Sequence, residues 1–202
     1  MPAVIYFVII VGSICAALFV YLVNIIQRHK EYLKLIDKQA EKRNGQVKGG
    51  SGVMEPKLIF YMGPDTVGVN TRNGRYFTTF TYIDLRLSET IDLRMHIRVA
   101  NPSSKKLGRL VGMKYIETGD QEFDNKIIIK GNDEEWIRKA LYSQSMRQKI
   151  LSSFPKFNLT FYLNGREMLI TFNNYFRSDQ DFDEVIDLLE ELKNRIKNPE
   201  GF

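Results

Sequence analysis

Ala3 to Ile26 form a run of twenty-four residues without a charged side chain, and Ser13 and Asn24 are its notably polar members. At a helical rise of about 1.5 Å per residue the run reaches about 36 Å, enough to cross a hydrocarbon layer of about 30 Å with some tilt. A cleaved signal peptide would bring a positive leading region, a shorter apolar core and a small-residue cleavage site. No Lys or Arg precedes the run, and Gln27, Arg28, His29 and Lys30 come after it where a cleavage motif would stand. Cys15 has Ile14 before it where a lipidation site needs a small residue, so it reads as an apolar residue facing lipid or a neighbouring helix. The expectation is a signal-anchor: one transmembrane helix with a short tail over residues 1–27.

The chain has 202 residues, 44% hydrophobic and 26% charged, which leaves room for one folded domain beyond that helix. A single cysteine excludes a disulfide framework and a zinc site built on paired thiolates, and two histidines argue against a His-rich centre. No cofactor and no metal site is expected. Cations decide orientation. Arg28, Lys30, Lys34, Lys38, Lys42, Arg43 and Lys48 all lie after the span. The excess of Lys and Arg on that side predicts a cell-membrane protein with its N-terminus outside and its C-terminal part cytoplasmic. Residues 27–53 carry a net charge of +4 and residues 54–202 only +1, so the basic pI belongs to the membrane-proximal segment. The near-neutral remainder gives no reason to expect nucleic-acid binding.

Beyond the span, Leu22, Ile26, His29, Leu33, Ile36 and Ala40 recur at intervals of four and three, predicting a helical stalk over residues 28–43. A short coiled coil and a lone helix resting on the membrane or on its own domain both fit that stripe. Gly12 with Ala16 and Ser13 with Ala17 make two small-xxx-small pairs, a face that lets a second copy or another membrane helix approach closely. Arg28, Lys30 and Lys34 lie where anionic lipid headgroups would meet them. Asn44, Gly45, Gly49, Gly50, Ser51 and Gly52 read as a flexible linker over residues 44–53.

The rest, residues 54–202, reads as a soluble α+β domain with a mainly antiparallel sheet, a helical pair and a C-terminal helix. Ile91, Leu93, Met95, Ile97 and Val99 alternate with Asp92, Arg94, His96 and Arg98, predicting a strand with one buried and one wet face. A second strand is expected from Arg75 to Leu87, joined to Thr66–Asn70 by a turn at Asn73 and Gly74, with Tyr76, Phe80 and Tyr82 on its second face. Leu159, Phe161 and Leu163, then Asn164 and Gly165, then Met168, Ile170 and Phe172 predict a hairpin. Asn132 with Glu135 opens a helix over Glu134–Leu141, Ser143 opens another to about Phe154, and Ser178 with Asp181 opens the last.

Chemistry is sparse. No phosphate-cradling glycine loop and no serine-hydrolase elbow occurs. His96, between Arg94 and Arg98 on a polar strand face, reads as a solvated histidine, and His29 lies in the stalk. Asp120, Glu122, Asp124 and Asp179, Asp181, Asp183 have calcium-loop spacing, but Asn125 and Glu184 stand where that loop requires glycine. Structural roles are expected for both clusters.

The segment Gly119-Asp120-Gln121-Glu122-Phe123-Asp124, followed by Ile127, Ile128 and Ile129, the helical pair and the Phe161–Phe172 hairpin, resembles a group of uncharacterised prokaryotic membrane-anchored proteins. In that group an Asp-x-x-Phe-acid turn enters a strand. The resemblance implies membrane anchoring and no catalytic residues. Physically, Phe123 would anchor the loop in the core while Asp120 or Asp124 accepts backbone N–H groups. The functional expectation is a non-enzymatic accessory or scaffolding component of a membrane complex, in contact with membrane lipids. Its alternatives are an unrecognised membrane-bound enzyme and a lipid or small-ligand binding module.

Overall fold

Helix α1 (Pro2–Lys42) runs without a break from the apolar segment through the expected stalk, 41 residues in all or about 61 Å. The structure, a computed structural model, describes residues 2–49, 55–73, 78–101 and 113–199. By length and composition α1 qualifies as a helix able to cross a membrane. It ends at Asn44, whose φ of 50° lies in the left-handed region. Gly45 N–H then donates back to the Ala40 carbonyl at 2.8 Å, a common way of terminating a helix. A Cβ at Gly45 would sit 2.7 Å from the Ile59 carbonyl oxygen, so only glycine lets the chain turn so close to the sheet.

The stretch after α1 is not a free linker throughout. Strand β1 (Gln46–Lys48) pairs antiparallel with β2 (Lys57–Met62), so part of residues 44–53 is an edge strand. Three residues are too few for alternation to register, so glycine content dominates the sequence pattern there. Residues 50–53 lie outside the described residues.

The remaining strands are β3 (Asp65–Asn73), β4 (Thr79–Arg86), β5 (Arg94–Val99), β6 (Lys114–Ile116), β7 (Ile127–Gly131), β8 (Thr160–Asn164) and β9 (Glu167–Asn173). Among the described residues nine strands form one sheet in the order β1-β2-β3-β4-β9-β8-β5-β7-β6, every pairing antiparallel. The β8–β9 hairpin thus inserts between β4 and β5, which are consecutive in the chain. Its two-residue turn is Gly165–Arg166, because Asn164 pairs with Glu167. Gly165, at φ 63°, takes the first central position, one residue later than the Asn-Gly reading placed it. The expected Thr66–Asn70 pairing with the following strand is present. Gly74 of the expected Asn73–Gly74 turn, and Tyr76, fall outside the described residues.

Helices are α2 (Gln121–Lys126), α3 (Glu134–Ala140), α4 (Gln144–Phe157) and α5 (Asp179–Lys197). Ser143 and Ser178 cap α4 and α5 through N–H groups of Met146 and Asp181, as the sequence predicts. The cap of α3 is Asp133, while Asn132 accepts the Arg94 N–H instead. Phe123 is fully buried, Asp120 accepts the Phe123 N–H, and Asp124 accepts from Thr118 and Gly119, so the 119–124 turn works as expected and forms a short helix.

Period-two alternation gives the sheet one inner face, lined by Phe60, Val69, Ile83, Ile170, Phe161, Ile97 and Ile129. Buried residues of all five helices join the same apolar cluster, including Ile36, Phe123, Ile137, Phe154 and Leu189. The protein is therefore an α+β domain of two layers, helices on one face of an antiparallel sheet.

Candidate functional site

The stalk half of α1 is part of the domain. Tyr32, Ile36, Gln39 and Ala40 are buried against it, and the adjoining cations grip the start of α5. Lys38 pairs with Asp179, and Gln39 Nε2 donates to the same carboxylate at 3.2 Å. Lys42 and Arg43 each donate to Asp183 at 2.6 Å, and the Arg43 guanidinium lies over the rings of Phe60 and Phe182 at 5.3 and 5.5 Å. Burial pushes the Asp183 carboxyl up, but the hydrogen bonds from Lys42 and Arg43 outweigh it and hold the group below the usual carboxylate range. Asp181 pairs with Lys156 at 3.1 Å. In the other acidic cluster, Asp120 pairs with Arg147 at 3.2 Å, and Glu122 with Lys126 at 2.8 Å. Both clusters are thus engaged in caps and ion pairs. No group of three or more metal-ligating side chains converges among the described residues.

Where α1 leaves the apolar span, the β9–α5 connection comes up against it. The Tyr175 ring meets Tyr32 at 4.8 Å and His29 at 6.2 Å between centroids. Burial holds the Tyr32 phenol well above its ordinary pKa, opposed by Thr71 and reinforced by Glu55. Asn174 turns the chain with a φ of 81°, and its carbonyl accepts the Thr81 hydroxyl at 2.5 Å. Phe176 is buried on Phe172 and Phe182 at 4.9 and 4.8 Å. This leaves a cleft of about 460 Å³ between helix and loop, lined by Arg28, Glu31, Leu35, Asn174, Tyr175, Phe176 and Arg177. On the loop's other side a cleft of about 360 Å³ shares Asn174 to Arg177 and adds Lys156 and Phe157.

Of the residues expected to meet lipid headgroups, Arg28 lines the cleft, whereas Lys30 and Lys34 are exposed on the helix and do not line it. Gly12, Ser13, Ala16 and Ala17 are exposed along the apolar half of α1, with Ser13 Oγ donating to the Ile9 carbonyl at 2.8 Å. A Cβ at Gly12 would meet nothing within 4 Å. Arg177 and Tyr175 carry no sequence signature of a site. The available signal is an Asn-Asn-Tyr-Phe-Arg stretch between a strand and a capped helix, which marks a connection without saying what it faces.

The histidine expectation is corrected. His96 is 6% exposed, not solvated, and its ring stacks on Tyr162 of β8 at 4.3 Å and an interplanar angle of 6°. Burial, followed by the charges of Arg98 and Lys130, lowers its pKa from 6.5 to about 4, so it is neutral at pH 7. The cross-strand partners Tyr162 and Lys130 are set by register, which a strand read alone does not reveal. Elsewhere on this outer face Lys57 and Asn70 reach Asp84 at 3.4 and 3.3 Å, and Arg72 lies 5.3 Å over Tyr82.

Fold and site together define a class: an antiparallel α+β domain carried directly on a helix long and apolar enough for a membrane, with a cleft at their junction. No family model matches the chain, and no curated protein does. Among solved structures it is similar to the crystal structure of the mycobacterial trehalose monomycolate transport factor A, TtfA, with a TM-score of 0.53 and 12% identity. The match covers 86% of this chain and 94% of that one. At this identity the likeness is one of fold.

Proposed function

We propose that this chain is a single-pass membrane-anchored accessory protein, a non-catalytic component of a larger membrane assembly. Its N-terminus lies outside the cell and its sheet domain in the cytoplasm. The observation that carries this reading is the unbroken α1, apolar along its first half and clamped onto the domain along its second. A joint of that kind holds a domain at a fixed height and rotation above the bilayer, which a scaffold needs and a loosely tethered enzyme does not. The outer sheet face, bearing no helix among the described residues, and the Gly12, Ser13, Ala16 and Ala17 stripe are the surfaces it offers to a membrane-protein partner or a second copy. The fold likeness to a protein described as a transport factor supports an accessory role.

Extraction of the full chain in mild detergent followed by native mass measurement tests the proposal. A companion or a second copy is expected, and Gly12→Leu with Ala16→Leu weakens its retention. A strictly monomeric chain with no companion counts against it. Protease added to intact cells is expected to leave the domain uncut.

A further inference from the structure

We propose that the cleft between α1 and the β9–α5 loop holds the phosphate of a membrane lipid headgroup, with Arg28 and Arg177 as its two cationic contacts. The inference rests on the reading that α1 spans a bilayer. Its first support is depth. Arg28 stands two residues past Ile26 and Leu35 nine, so the lining begins about 3 Å and ends about 14 Å beyond the apolar run. The headgroup layer on each side of a bilayer occupies about 5–8 Å. The cleft thus opens at the level of the phosphates.

Charge is the second support. Lys38, Lys42, Arg43 and Lys156 each hold a carboxylate of α5. Arg28 and Arg177 have no ion pair among the described residues, although both are exposed and line the same cavity. Glu31 is the acid in that lining, and Gln27 donates to it at 3.3 Å. The cleft therefore carries one net positive charge, whereas the cations further along α1, Lys38, Lys42 and Arg43, are neutralised by the domain. Two guanidinium forks suit the oxygens of a phosphodiester, and Glu31 and Asn174 in the same lining supply polar partners for headgroup hydroxyls. The volume, about 460 Å³, is that of a small-ligand site.

Native mass spectrometry of the full chain in mild detergent, titrated with phosphatidylglycerol or phosphatidylcholine, tests this. The wild-type chain is expected to retain phosphatidylglycerol in preference. Arg28→Gln with Arg177→Gln is expected to lower retention by at least about tenfold, the scale of a lost charge-assisted hydrogen bond, and each single variant to fall between. Lys126→Gln with Lys139→Gln, equal in charge and remote from the cleft, is expected to leave retention unchanged, and unfolding followed by Trp136 fluorescence to coincide for all variants. Equal retention by the double variant, or an equal loss in the remote control, overturns the site. Displacement of the lipid by stoichiometric inorganic phosphate overturns the headgroup in favour of free phosphate. Alkaline extraction of membranes reads the anchor separately: release of the wild-type chain sinks the membrane reading, whereas retention with unselective lipid binding sinks the cleft alone.

Discussion

Ile36→Ala tests the joint between helix and domain. Ile36 is completely buried, although the first half of its helix is exposed and the second half could equally have stood clear of the sheet as a free rod. The substitution removes three buried carbons, about 2.4 kcal/mol at about 0.8 kcal/mol each, and an unfilled cavity raises the cost to about 3–4 kcal/mol. In a domain of this size that corresponds to a melting temperature lower by about 6–16 °C. Trp136 is a convenient reporter, the chain's single tryptophan, with its indole N–H donating to the Ile196 carbonyl at 3.0 Å across α3 and α5. Urea unfolding of the full chain in mild detergent, followed by Trp136 fluorescence, gives the stability. Ile26→Ala, on an exposed position of the same helix, is the control and costs less than about 0.5 kcal/mol. Equal midpoints for the two variants would refute the docking of α1, because a helix that does not pack on the domain has no reason to distinguish these isoleucines. Amide exchange over residues 28–42 gives a second reading, with protection lost in Ile36→Ala and kept in Ile26→Ala.

Asp183→Asn removes the carboxylate shared by Lys42 and Arg43; with both partners partly solvated the cost is about 1 kcal/mol, measured by the same unfolding curve. Because the Asp183 pKa is depressed on folding, its contribution is present above the ordinary carboxylate pKa and fades as pH falls through the folded value, so the variant and the parent converge in acid. His96 is neutral when folded, so below pH 6.5 the unfolded chain binds the proton first and stability declines between 6.5 and about 4. NMR titration is expected to give His96 a midpoint near 4, and His96→Phe to flatten that part of the stability curve. Gly131→Ala places a Cβ 2.1 Å from Ile137 Cδ1 and 3.0 Å from the Arg94 carbonyl oxygen. It lowers stability by about 1–3 kcal/mol, and a melting temperature equal to the parent's would show that α3 moves freely against β7.

Much of this architecture is legible in the one-dimensional pattern. The uncharged run from Ala3 to Ile26, the apolar side of β5 at Met95 and Ile97, the β8–β9 hairpin and the serine caps of α4 and α5 are properties of single elements. Each is set by a period or a cap chemistry that acts over a few residues. The Asp120 turn belongs with them, since Phe123 and its two flanking carboxylates act within one short loop. By itself, then, the sequence determined a long apolar helix and an antiparallel α+β class.

Tertiary structure decided what those elements meet. That Lys38, Lys42 and Arg43 would close on Asp179 and Asp183, about 140 residues away, depends on which face of α5 turns toward α1. The insertion of β8 and β9 between β4 and β5 brings Tyr162 beside His96 and turns an apparently wet histidine into a buried one. Arg28 and Arg177 share a cleft for the same reason. Local periodicity records the direction a side chain points relative to its own element, whereas a site needs the packing of several elements, and only the closed core, with its one arrangement of strands and helices, supplies that.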